Sequence, residues 1–476
     1  MKKLTQTSVF IALSAILLSC TGGTKLPQKS GQLGLPDSYL TEADTINSAL
    51  LSWKEFFKDP FLVSLIDSAV AKNQEVNIMA QEIEIARNEI RAKKGEYLPF
   101  VNLTGGASGE KTPRYTRNGS TEANLPILEN QAFPDPFGDF QLGVFAGWEI
   151  DIWKKLRNAK KAAVKRYLAT IEGRNFLLTQ LVAEIADQYY ELLALDNQRI
   201  ILEQNIAIQE QALEIVRLQK QASQVTELAV KRFEAQLLNT KSLKYQLRQR
   251  ITEAENQLNT IVGRVPHKLE RSQLDLQKVY PQEIETGLPA QLLSLRPDVR
   301  SAQLKLQAAK LDVKIAKARF YPSLALKAGL GFQAFNPTYL LRSPESLLYN
   351  MAGDLIAPLI NRNAIKADYY NANAAQIAAI YQYEQTVLNA YVEVINQLSK
   401  LENVQQSFQL KEAEVKALQE SVEISNKLFR SARADYMEIL LTQREFLSSK
   451  FELIELKKDQ LISSINLYKA LGGGWR

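Results

Sequence analysis

The stretch Phe140-Gln-Leu-Gly-Val-Phe-Ala-Gly-Trp-Glu-Ile-Asp-Ile152 alternates from end to end. Phe140, Leu142, Val144, Ala146, Trp148, Ile150 and Ile152 fall on one face; Gln141, Gly143, Phe145, Gly147, Glu149 and Asp151 fall on the other. A period of two is that of a β-strand. Leu324 to Gln333 repeats it, with Leu324, Leu326, Ala328, Leu330 and Phe332 opposite Ala325, Lys327, Gly329, Gly331 and Gln333. Val101 to Ser108 and Tyr349 to Leu359 are two further strand candidates. Strands of about ten residues, apolar on one side and polar or glycine on the other, fit the wall of a transmembrane β-barrel. Four such strands cannot close a barrel, and lipid does not tolerate an open sheet edge. Several copies of the chain must therefore share one barrel, provided the strands lie in a membrane.

On either side of these strands the pattern changes. From Arg174 to Val262, and again from Asn361 to Leu471, there is neither glycine nor proline. Blocks without breakers imply very long helices, or helices that double back through a glycine-free turn. Within the first block a seven-residue register is readable. Leu181, Gln188, Leu195, Leu202, Gln209 and Val216 form one series, and Ile185, Leu192, Arg199, Ile206 and Leu213 the other. Most of these positions are apolar, which makes a coiled-coil-like seam. A helix of about 60 residues would extend about 90 Å.

The chain also repeats itself. Glu96-Tyr-Leu-Pro99-Phe-Val-Asn-Leu is matched by Arg319-Phe-Tyr-Pro322-Ser-Leu-Ala-Leu, each leading from a charged, alanine-rich helical run through proline into a strand. Proline is least costly at a strand's first residue. The loops Lys111 to Gly138 and Asn336 to Ser346, rich in Pro, Asn and Gly, would join the strands of each half. The expected plan is a mixed, predominantly α fold with an internal two-fold repeat. Residues 20–265 form the first repeat, with strands near 97–110 and 139–152 and a helical hairpin near 154–262. Residues 266–476 form the second, with strands near 321–335 and 347–360 and a hairpin near 361–471.

Composition narrows the function. With 46% hydrophobic and 23% charged residues, the chain can build a core and is not disordered. A net charge of +6, from 58 basic and 52 acidic residues interspersed along helices, leaves no concentrated basic patch for nucleic acid. One cysteine, Cys20, excludes internal disulfides and thiolate clusters, and one histidine, His267, makes a catalytic triad or histidine metal site a poor fit. No phosphate loop or nucleophile motif suggests an enzyme, and no metal or cofactor is expected.

The amino terminus reads as an address. Lys2-Lys3 precede the short apolar run Val9 to Leu18, well below the ~20 residues that span a bilayer, as in a secretory signal. The run ends in Leu17-Leu18-Ser19-Cys20, which resembles a bacterial lipoprotein box. Residues 1–19 would then be removed and a diacylglycerol attached to Cys20. Each buried CH₂ of such a lipid contributes about 0.8 kcal/mol, so several chains anchor firmly.

Four further stretches resemble the TolC-like outer-membrane efflux protein family, in its lipoprotein branch serving resistance–nodulation–division (RND) pumps. They are Val182-Ala-Glu-Ile-Ala-Asp-Gln-Tyr-Tyr190, Leu293-Ser-Leu-Arg-Pro-Asp-Val-Arg300, Ala316-Lys-Ala-Arg-Phe-Tyr-Pro322 and Leu467-Tyr-Lys-Ala-Leu-Gly-Gly-Gly-Trp475. The resemblance implies a homotrimer with a twelve-stranded barrel in the outer membrane and a periplasmic α-helical tunnel. It also implies partnership with a periplasmic adaptor and an inner-membrane RND transporter, and small-molecule efflux without chemistry. In the family, two hairpin tips near glycines close the tunnel. Here those positions fall at Ala222 and Ala432, and alanine resists the positive φ that glycine allows. A family carboxylate falls at Leu441; Asp435 and Glu438 lie close enough to supply an acidic ring instead, in which threefold repetition would favour cations or raise carboxylate pKa values. Glu227, Arg433, Tyr436 and Arg444 complete the gate candidates. Tyr97, Trp148 and Tyr349 are candidate interfacial anchors, and Trp475 is expected to pack the carboxyl terminus. A lipid-anchored periplasmic scaffold would share the lipobox and heptads but would not need four alternating strands in matched pairs. A protein-secretion conduit shares the channel plan; the lipobox and Gly-Gly-Gly-Trp ending favour small-molecule efflux, by resemblance.

Overall fold

The computed structural model describes residues 34–39, 46–273, 275–430 and 435–476. The signal at 1–19, Cys20, Ala432 and Arg433 lie outside them. In chain order the principal elements are α1 (Pro60–Lys72), α2 (Gln74–Tyr97), β1 (Phe100–Glu110), β2 (Phe137–Ile150), α3 (Lys155–Gln221) and α4 (Glu227–Val262). They are followed by α5 (Pro297–Ala318), β3 (Ser323–Ala334), β4 (Leu347–Ile356), α6 (Asn363–Arg430) and α7 (Tyr436–Ala470). From α2 in the first half and α5 in the second, the order is helix, strand, strand, helix, helix, as the repeated proline-led motif suggests. β1 begins directly after Pro99 and β3 directly after Pro322.

The chain divides into two compact units. One holds Glu84–Tyr167 and Leu304–Ile380; the other holds Leu168–Gln303, Tyr381–Arg476 and the described residues before Glu84. The first unit is organised by a four-stranded antiparallel sheet in the order β1-β2-β3-β4. Its register sets the two faces. Val144 of β2 lies opposite Leu103 of β1 and Leu330 of β3, and Leu330 lies opposite Tyr349 of β4. All four side chains are exposed. On the other face Phe145 lies opposite Asn102 and Gly329, and Gly329 opposite Asn350. β1 and β4 each leave one edge unpaired among the described residues.

The second strand stops sooner than its alternation does. Ile152 lies past the end of β2 because Asp151 leaves the ladder to begin α3. Its carboxylate accepts hydrogen bonds from the backbone N–H groups of Leu156 (3.0 Å) and Arg157 (2.9 Å), two of the orphan donors of a helix start. β4 likewise closes at Ile356, two residues before Pro358, instead of running to Leu359.

The second unit is helical and carries its own core. The heptad positions Leu181, Ile185, Leu192, Leu195, Leu202, Leu213 and Val216 of α3 are all buried. The polar Gln209 in the same seam is also buried, its Nε2 donating to Asn205 Oδ1 at 2.8 Å. At α1, the carboxylate of Asp59 does two jobs: one oxygen caps the helix at Phe61 N (2.9 Å), and the other accepts from the buried Tyr189 hydroxyl (2.7 Å). Burial first, and then Asp59, push the Tyr189 phenol above its ordinary pKa. No helix among the described residues is long and apolar enough to cross a membrane.

Candidate functional site

In the sheet unit the polar face supplies the first set of functional side chains. Lys327 pairs with Asp354 at 2.8 Å, Lys155 with Glu149 at 2.5 Å, and Gln333 Nε2 donates to both oxygens of Asp139 at 2.8 and 3.0 Å. Apart from Lys155, which belongs to α3, these residues share the face of Phe145, Gly143, Gly329 and Gly331, so charge is segregated from the exposed apolar face. A cavity of about 620 Å³ opens there, lined by Asn102, Glu149, Lys155, Arg319 and Lys327 among others. Such a face presents water with paired charges and offers no reactive constellation.

Aromatic side chains mark the ends of the strands nearest the long helices. Trp148 Nε1 donates to the Tyr97 carbonyl at 3.1 Å, which joins two of the anchor candidates. Trp153 Nε1 donates to the Pro322 carbonyl at 2.8 Å while its ring stacks on Tyr321 at 4.6 Å. The Trp153–Tyr321 pair was missed in the sequence; its signal was an aromatic just before each proline that leads into a strand, Tyr97 and Tyr321. Tyr349 stands alone by comparison, exposed on the apolar face.

In the helical unit the first hairpin turns between α3 and α4. Alanine at 222 poses no conformational problem, because the left-handed residue is its neighbour: Ser223 takes φ +57°. The turn closes through Ser223 N to Lys220 O (3.0 Å) and Gln224 N to Gln219 O (2.9 Å). Glu227, the first residue of α4, reaches back across the turn to Lys220 at 3.0 Å. Both partners are exposed, so the pair is worth only about 0.2–1 kcal/mol.

At the second hairpin, Asp435 is the N-cap of α7 and Glu438 sits in its first turn, with Glu438 N donating to Asp435 O at 3.1 Å. Two exposed carboxylates thus share a helix N-terminus, where the dipole favours negative charge. Tyr436 packs beside the apolar cluster formed by Leu213, Val216, Phe233 and Ile439. Arg444 is exposed and makes no ion pair among the described residues, and Leu441 is exposed as well. The structure brings Asp435, Tyr436 and Glu438 together on one turn and places Glu227 on the other hairpin.

The Arg-Pro-Asp block has a structural task that its spacing did not reveal. Arg296 is buried and grips Asp298 with two nitrogens (3.0 and 2.8 Å), Glu393 at 2.8 Å and the Ala470 carbonyl at 2.7 Å. The carboxyl-terminal glycines fit beside it. Gly472 has φ +99°, and a Cβ at Gly473 would lie 2.2 Å from the Tyr468 ring. Trp475 packs against the main apolar cluster. Nearby, Asp187 of α3 faces Asn466 of α7 at 3.4 Å, while its other oxygen is buried without a hydrogen bond. Burial lifts its pKa to about 6, against the opposing pull of Asn466, Lys469 and Lys400 and with a smaller push from Glu184.

A model of outer membrane efflux proteins matches residues 65–264 and 288–473. The chain is 27% identical over 465 residues to the pyoverdine export outer membrane protein OpmQ of Pseudomonas aeruginosa, covering 97% of this chain and 96% of that protein. It is 24% identical over 476 residues to the probable outer membrane lipoprotein SilC of Salmonella typhimurium, covering 100% and 99%. The crystal structure of the open state of the Neisseria gonorrhoeae MtrE outer membrane channel superposes with a TM-score of 0.83 at 22% identity, over 95% of this chain and 99% of that one. At that identity the superposition speaks to the fold.

Proposed function

Because the chain belongs to the outer membrane efflux protein family, we propose that three copies close their sheets into one twelve-stranded outer-membrane barrel. Their paired hairpins form the periplasmic duct, which receives small molecules from an RND-type inner-membrane pump through a periplasmic adaptor. The observation that carries this reading is the sheet itself: two edges unpaired among the described residues, an apolar exposed face, and an opposite face with paired charge. An unpaired edge in lipid leaves N–H and C=O groups without partners at several kcal/mol each. Pairing β1 of one copy with β4 of the next removes both edges at once. The polar face then lines water and the apolar face meets acyl chains, and the loops 111–136 and 335–346 stand outside the cell.

Cys20 carries the lipid that holds each copy at the membrane, a reading supported by the lipobox and by likeness to a protein named as a probable lipoprotein. Asp435 and Glu438 form the acidic ring of the periplasmic gate, with Glu227, Tyr436, Arg433 and Arg444 around it and the tips at Ala222 and Ala432. Planar-bilayer recording on the detergent-extracted protein tests this. Wild type is expected to conduct with a preference for cations, and D435N/E438Q to lose that preference while keeping its insertion frequency. Folded protein that inserts and never conducts would sink the channel reading; conduction with unchanged ion preference would sink the gate assignment. Intact mass of the mature chain, with and without Cys20→Ala, tests the anchor.

A further inference from the structure

Acidic and basic residues are mixed along most of the helices, but one stretch departs from that. Residues 153–166 hold seven lysines and arginines and no Asp or Glu. They open α3, directly after the sheet. Two local features run against this placement. The first turn of a helix favours anions, because the dipole is positive there, yet the first turn of α3 holds no acidic residue. Lys154, just before it, takes φ +60°, a left-handed conformation that glycine or asparagine adopts more readily. In the second half the turn from β4 into α6 carries Asn361 at φ +53° instead. Cations held against both dipole and backbone mark a local conflict of the kind found at functional sites.

The sheet decides which way these cations face. Lys155 pairs with Glu149, so its side of α3 continues the polar face. Arg157 lies over the Tyr97 ring at 5.9 Å, and the Tyr97 carbonyl accepts from Nε1 of Trp148, a residue of the apolar face. The side of α3 that carries Arg157 therefore continues the apolar face. Lys161 follows Arg157 by one turn on that side. Lys154 stands one turn before it, its carbonyl accepting from Asn158 N at 2.9 Å. Lys154 and Lys161 are exposed and make no ion pair among the described residues. Ile152 and Trp153, beside them, are also exposed. We propose that Lys154 and Lys161, with Arg157 between them, bind the phosphate headgroups of anionic phospholipid at the edge of the bilayer. The inference rests on the reading of the sheet as a barrel wall. The row covers about 10 Å along the helix, against a headgroup layer of about 5–8 Å and a screening length of about 8 Å. All three cations thus lie within reach of one leaflet. A membrane fits this row better than nucleic acid does, because the cations extend an apolar surface edged by indole rings, which favour the headgroup level.

The test uses the full-length protein in detergent, with phosphatidylglycerol and phosphatidylcholine offered at equal concentration and native mass spectrometry as the readout. Wild type is expected to retain the anionic lipid about tenfold more tightly than the zwitterionic one, from two free cations per chain after screening. K154Q/K161Q is expected to lose that preference while keeping the wild-type oligomeric mass and its retention of phosphatidylcholine. K154R/K161R, which keeps the charge, is expected to keep the preference. Equal retention of the two lipids by wild type would overturn the proposal and leave the barrel reading standing. So would a preference undiminished in K154Q/K161Q or lost in K154R/K161R. Protein that retains neither lipid and stays dispersed without detergent would overturn the barrel reading, and this inference with it.

Discussion

The sheet unit and the helical unit solve the same problem with different solvents. In the helical unit the apolar positions of α3 are buried against other helices, and even its arginine at 296 is enclosed by four bonds. In the sheet unit the apolar side chains point outward: Met351 is 90% exposed and Leu103 76%. No element among the described residues covers that face. A sheet with such a surface is stable only where something apolar takes the place of water. The helical unit therefore depends on internal pairing, and the sheet unit on its surroundings.

Breaking the internal pairing should have the largest effect. Arg296→Ala leaves Asp298 without its cation, Glu393 with only Lys469 at 3.9 Å, and the Ala470 carbonyl without its donor. A loss of about 3–5 kcal/mol is expected, read as a lowered melting temperature of the helical signal in circular dichroism. Met351→Arg attacks the other half of the contrast. On a lipid-facing strand it costs about 2–4 kcal/mol at mid-bilayer, so the yield of heat-resistant assembly in detergent extracts should fall. Lys327 shows that charge is accepted on the opposite face, where it pairs with Asp354.

Asp187 sharpens the comparison by pH. Its carboxyl pKa rises from 3.8 to about 6 in the fold, so the folded chain holds that proton more tightly than the unfolded chain. Stability from this group is therefore lost as pH climbs from about 4 to 6 and stays lost above. Asp187→Asn should be more stable than wild type at pH 7.5, by about 1 kcal/mol after discounting for partial solvent access. The gain should vanish near pH 4; a gain of equal size at both pH values would contradict the assignment. The smallest effect belongs to the turn. Ser223→Gly relieves a left-handed residue and should add up to about 1 kcal/mol to hairpin stability, seen as slower amide exchange at residues 219–227.

What was legible in the sequence was whatever repeats locally. Strand faces follow from a period of two in Phe140 to Ile150, and the long helices from blocks without glycine or proline. The proline-led strand starts at Pro99 and Pro322 gave the repeat away. Features that depend on distant partners stayed hidden. Arg296 meets Glu393 and Ala470 across 97 and 174 residues, and nothing in Leu293 to Arg300 announces either contact. The end of β2 was misplaced because Asp151 looks like one more alternating residue until its carboxylate is seen capping α3. At the first tip, alanine at 222 suggested strain, yet the chain moves the left-handed conformation one residue along to Ser223.

Native mass measurement of the detergent-extracted protein decides whether the sheet is one third of a shared barrel. Three chains per particle are expected, with lipid on Cys20 at each amino terminus. A monomer that stays soluble without detergent would contradict it.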